Sequence, residues 1–147
     1  MCTGQALPLD MLMYYDARPC VMNGLFEAET YRPLKGYWPF AMFRDLRALG
    51  TWIPTERGDG DVYSCAATDG GEAALMVTNY CDRDDAPAKE IALRFEGFDG
   101  TVAAEVYLLD AEHDLTHMNT QYFSADAFEL RLDVGLYSTA FVKVHKA

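Results

Sequence analysis

Phe128-Glu129-Leu130-Arg131-Leu132-Asp133-Val134 places an apolar side chain at every even position and a charged one at every odd position. Successive side chains of a strand point to opposite faces, so this run reads as a half-buried antiparallel strand, one face on a core and one in water. Ile91, Leu93 and Phe95 do the same against Glu90, Arg94 and Glu96 in the segment Glu90–Phe95. Working outward, Val62–Ala67, Ala73–Asn79, Val102–Leu109 and Thr139–His145 have a comparable texture, divided by turn residues at Asp69-Gly70-Gly71, Asp82–Pro87 and Gly97–Gly100. About six or seven strands with tight turns predict a mainly β fold, an antiparallel β-sandwich of jelly-roll or immunoglobulin-like type. No repeat of fixed period and no low-complexity tract interrupts the pattern.

The chain before Gly50 reads differently. Leu9 to Tyr15 is apolar except at Asp10, the pattern of a strand covered on both faces in a parallel sheet. Pro19 denies helix to Arg18, so the chain leaves this strand through an extended turn that puts Asp16 and Arg18 at the strand's carboxyl end. A helix is expected from the region Gly36 to Trp38, with Pro39 in its first turn and Gly50 just past its end. Phe40, Phe43, Leu46 and Leu49 share one stripe of that helix, which is first of all a packing face. Strand, loop and helix make one βα unit, and such units are built to sit beside others like themselves. Nothing after Gly50 supplies a second. The expectation is a fragment: residues 1–53 as the last βα unit of a barrel, and residues 54–147 as a complete β-sandwich, with a short linker around Gly58-Asp59-Gly60.

Half of the residues are hydrophobic, enough for a real core, and the 23 acidic residues against 12 basic ones give a formal charge of -11. Such a surface repels phosphate backbones and anionic lipid, which argues against nucleic-acid and membrane-surface partners. A neutral partner such as a sugar meets no such penalty. Cys2, Cys20, Cys65 and Cys81 lie at wide, irregular spacings without a Cys-x-x-Cys pair. Free thiols in a reducing, cytoplasmic setting are the expected state, with a Cys65–Cys81 disulfide left open as the alternative. The start lacks a basic leader, and the apolar run around Met11 is too short to span a bilayer.

His113 and His117 with Glu112 and Asp114 would form a metal site on a helix, but in extended chain residues four apart are separated by about 13 Å at roughly 3.3 Å per residue. A solvated connection is the expected role. Asp59-Gly60-Asp61 and Asp82-Arg83-Asp84-Asp85 cluster oxygens without the full spacing of a calcium loop, so turn chemistry is expected there. No Gly-x-Ser-x-Gly elbow and no phosphate-binding glycine loop occurs, and no cofactor or metal is expected. Glu27 and Glu29 are two carboxylates in one loop, whereas glycoside hydrolysis needs a pair facing each other across a sugar ring. Neither is assigned a catalytic role; Glu27 is kept as a contact to a sugar hydroxyl.

The run Met13-Tyr14-Tyr15-Asp16-Ala17-Arg18-Pro19, then Asn23-Gly24-Leu25-Phe26, then Pro33-Leu34-Lys35-Gly36-Tyr37-Trp38-Pro39-Phe40 resembles the last strand, loop and helix of a glycoside hydrolase barrel of the family 39, β-xylosidase type. In that family the closing βα unit is followed by a C-terminal β-sandwich, the order found here. The resemblance implies that both catalytic glutamates lie upstream of Met1, so no catalytic residue is assigned. It places Tyr15, Asp16, Arg18 and Asn23 at the rim of a sugar-binding cleft, beside which Glu27 is the hydroxyl contact kept above. The implied partners are a carbohydrate and the missing catalytic barrel. The expected function is a C-terminal accessory region of a xylosidase- or arabinosidase-like glycosidase, inactive alone. The alternative is an autonomous carbohydrate-binding module using Tyr63, Tyr80, Tyr107, Tyr122 or Phe123. Self-association as a homo-oligomer through the orphan βα unit is a further expectation.

Overall fold

A computed structural model of the chain describes residues 1–15, 24–56, 58–124 and 126–147. Short 3-10 turns occupy Thr3–Ala6 and Lys35–Tyr37, the second leading into helix α1, Trp38–Leu49. Eight strands follow: β1 Thr51–Ile53, β2 Val62–Thr68, β3 Ala73–Asn79, β4 Lys89–Glu96, β5 Thr101–Leu109, β6 Asp114–Ser124, β7 Ala127–Val134 and β8 Ser138–Lys146. They form a six-stranded sheet in the order β1-β2-β3-β8-β5-β6 and a two-stranded sheet β4-β7, with every pairing antiparallel. The fold is mainly β, as the alternating segments predict.

The register assigns the two faces of the large sheet. Val77 stands opposite Ala140 and Leu75 opposite Val142, while the residues between them, Met76 and Phe141, point the other way. On the first face Val77, Val102, Val106, Val142 and Val144 pack against Leu93, Phe128, Leu130, Leu132 and Val134 of the small sheet. Each pair of such buried aliphatic side chains contributes several kcal/mol of favourable transfer, about 1.5–3 kcal/mol per side chain. On the second face Cys65, Ala67, Met76, Leu109 and Phe141 receive Met42 and Leu46 of α1. The small residues Ala67 and Ala74 allow the helix to approach that face closely. β7 buries alternate residues without exception, whereas β8 is buried on both faces over Ser138–Val142.

The strand expected over Leu9–Tyr15 does not form: the described chain there is irregular, with Met11, Leu12 and Met13 at 74%, 71% and 80% exposure. An extended segment becomes a strand only when a neighbour takes its N–H and C=O groups, and no described strand runs beside it. Two strands went unread. β1 is three residues long and joins the end of α1 to the edge of the large sheet, Trp52 pairing with Ala67. β6 covers a segment read as a polar connection. As an uncovered edge strand it has most side chains exposed, so its composition matches that of a loop.

Candidate functional site

Helix α1 starts where Pro39 sits in its first turn and ends at Gly50, whose N–H donates to the carbonyl of Arg47 at 3.1 Å. Its apolar stripe divides between two neighbours. Met42, fully buried, faces the sheet; Phe40, Phe43 and Leu46 line an open groove of about 690 Å³ together with Leu9, Leu12, Tyr14, Trp52 and Cys65–Ala67 of β2, and Phe43 and Leu46 also pack against the sheet-side cluster. The Tyr14 ring meets Phe40 edge to face, with centroids 5.5 Å apart. This aromatic contact sets Tyr14 against the helix. The groove is an open, mainly apolar concavity between the elements the sequence reads as an unpaired βα unit and Cys65–Ala67 of β2.

The helix is held on the sheet by charge as well as packing. Lys143 of β8 donates to Asp45 at 2.9 Å, and Arg44 donates to the same carboxylate at 2.7 Å. Burial alone would raise the Asp45 carboxyl, but the hydrogen bonds from Lys143 and Arg44 outweigh it and hold the group below the usual carboxylate range. Beside this pair the Tyr107 hydroxyl donates to Glu105 at 2.8 Å; burial and that carboxylate push Tyr107 up to about 12. Glu105 is held low by the Tyr107 hydroxyl, with burial opposing and His145 assisting.

Of the sequence-assigned rim residues, Tyr15 and Glu27 are among those described. Tyr15 is 98% exposed. Glu27 lies in a tight loop closed by Leu34 N–H donating to the Leu25 carbonyl at 2.9 Å, and its carboxylate accepts from the Thr30 hydroxyl. Among the described residues no hydrogen bond or ring contact joins Tyr15 to Glu27. Asp16, Arg18 and Asn23 lie outside the described residues. Glu29 is exposed on the same loop. Lys35 ties this region to the β5–β6 turn, donating to the His113 carbonyl at 3.0 Å and pairing with Asp114 at 2.7 Å.

His113 and His117 point to separate partners. His113 Nδ1 lies 2.8 Å from Asp110, and His117, on β6, has Nε2 3.0 Å from the Thr120 hydroxyl. Asp59 and Asp61 both pair with Lys89, at 2.7 and 3.2 Å, and the Asp61 N–H donates to Asp59 in an ordinary turn. Among the described residues no group of three or more His, Cys, Asp or Glu side chains is placed to hold a metal ion. Cys65 and Cys81 are free thiols and form no disulfide with each other; Cys20 lies outside the described residues. No described helix is long and apolar enough to cross a membrane.

No protein-family profile and no curated protein matches the sequence. Solved structures do match. A glucosidase from Croceicoccus marinus superposes with a TM-score of 0.73 at 14% identity, over 86% of this chain and 34% of that one. The fold is one that glycoside hydrolases carry. A GH39 enzyme from Xanthomonas axonopodis pv. citri matches at TM-score 0.65 and 12% identity over 84% of this chain and 32% of that one. A GH30 endoxylanase from Clostridium papyrosolvens C71 gives 0.62 and 16%, over 85% and 31%. The chain therefore spans about a third of the length of the glycoside hydrolases it matches.

Sequence reasoning found the helix and its stripe but missed Met42 as the residue most deeply seated on the sheet, and missed Trp52 in the groove wall. The signal for Met42 is present in the spacing, since Met42 and Leu46 are four apart and share a face.

Proposed function

We propose that this chain is the C-terminal accessory part of a xylosidase- or arabinosidase-like glycoside hydrolase acting on polysaccharide, supporting the catalytic barrel and not catalytic by itself. Residues 1–53 would close the barrel as its last βα unit, and residues 54–147 would brace it as a β-sandwich. The observation that carries the reading is the uncovered apolar flank: Leu9, Leu12, Phe40 and Phe43 line an open groove beside α1, bounded on its other side by Trp52 of β1 and Cys65–Ala67 of β2. An open apolar concavity of this kind is a surface that a partner can cover. The glycosidase matches, of whose length this chain spans about a third, support a barrel as the occupant.

In this reading α1 works as a clamp. Met42, Leu46 and the Asp45–Lys143 pair fix the helix to the sheet, so the groove beside it presents a rigid apolar edge to the barrel. Tyr15, Asp16, Arg18, Asn23 and Glu27 are proposed as contacts at the rim of the substrate cleft that the barrel would complete.

The test is hydrolysis of an aryl β-xyloside. The 147-residue chain alone gives no turnover above buffer. Turnover that disappears in Glu27→Gln would contradict the reading, because it would put the chemistry within this chain.

A further inference from the structure

At the end of the sheet marked by the β3–β4 connection and the β7–β8 turn, two exposed tyrosines are set side by side. Tyr80 is 46% exposed and Tyr137 50%, and their ring centroids are 5.9 Å apart at an interplanar angle of 55°. Both rings are pinned at the hydroxyl: Tyr80 donates to Asp82 Oδ1 at 2.7 Å and Tyr137 to Asp84 Oδ1 at 2.6 Å. The backbone beneath them is held firmly. Asn79, completely buried, donates from Nδ2 to the Val134 carbonyl at 3.1 Å and accepts at its own carbonyl from Tyr137 N–H at 3.0 Å. Tyr137 sits at φ 59, a left-handed conformation that a bulky residue rarely adopts. Two large apolar rings are thereby kept in water on a rigid support, where free rotamers would have let them fold onto the surface.

We propose that Tyr80 and Tyr137 form a stacking shelf for a neutral saccharide, whose hydroxyls are accepted by the Asp82 and Asp84 carboxylates. The saccharide assignment rests on the polysaccharide reading above. The geometry fits that ligand class. The rings already touch, so nothing inserts between them as in a cation cage, and they offer one bent surface to the C–H face of a sugar. Each carboxylate spends Oδ1 on a phenol and keeps Oδ2 for a ligand hydroxyl, the amphipathic pattern of a sugar's face and rim. Asp82, Asp84 and Asp85, on a chain of charge -11, exclude anions.

Affinity electrophoresis of the 147-residue chain through gels containing soluble xylan or β-glucan tests this. The unmodified chain is retarded. Tyr80→Ala and Tyr137→Ala weaken binding about three- to tenfold, the worth of one aromatic contact. Tyr122→Ala, which removes an exposed ring on β6, leaves retardation unchanged. Tyr80→Ala leaves the left-handed residue in place, so the test holds if Tyr137→Ala does not fold. No retardation in either polysaccharide, or retardation that survives both alanine variants, overturns the shelf. So do tyrosine ring NMR shifts induced by tetramethylammonium but not by xylo-oligosaccharide, which would make the site a cation site. None of these results bears on whether the chain hydrolyses an aryl xyloside, so failure of the shelf and failure of the accessory role are read separately.

Discussion

Gly50 ends α1 at φ 85, and a Cβ built there would meet nothing within 4 Å. The cost of a side chain is therefore purely conformational, and Gly50→Ala is expected to destabilise the chain by about 1 kcal/mol, read from urea denaturation. Asp45 sets a second local term. Its folded pKa is lowered, so its stabilisation is present above the unfolded carboxylate value near about 3.9 and is lost as pH falls through the folded value. Discounted for partial exposure of the ion pair, that is about 0.5–1 kcal/mol. Thermal scans between about pH 5 and pH 3 should show the unmodified chain losing stability faster than Asp45→Asn. At this scale the sequence was readable wherever the cause is local: Pro39 and Gly50 bracket the helix because φ and a missing N–H act on the residue itself. The rim set was not readable in the same way. Tyr15 was assigned by resemblance and Glu27 as a loop carboxylate, and side chains meet only when a surrounding structure brings them together.

Among the elements, α1 and β8 decide how the molecule holds together. Met42→Ala empties a fully buried site between α1 and the sheet and should cost about 2–5 kcal/mol. Phe40→Ala, on the groove side, should cost clearly less in the chain alone, because that ring packs against Tyr14 and open space. Equal losses in the two variants, measured by chemical denaturation, would contradict the division of the helix into a sheet side and an open side. Amide hydrogen exchange gives the matching map: slowest over Ala140–Val144 of β8, paired on both sides, and fast over Leu9–Tyr14, where no ladder protects the backbone. Strands with one face in the core announced themselves by alternation, as β7 does at every residue. β6 did not, since an edge strand with little cover has no buried face to alternate against. The apolar segment Leu9–Tyr15 failed for the opposite reason: it has the composition of a doubly covered strand and no described covering.

For the whole molecule, two sheets and a helix give a stable body with one unfinished side. The small sheet β4-β7 seals one face of the large sheet and α1 seals part of the other, leaving the groove walls of Leu9, Leu12, Phe40, Phe43 and Trp52 in contact with water. The proposed barrel would cover them. The most direct measurement of that claim is the DNA sequence immediately upstream of the codon for Met1. The account predicts a reading frame that runs on without a stop through alternating strands and helices and carries two glutamates at strand ends. An in-frame stop codon directly before Met1 would contradict it.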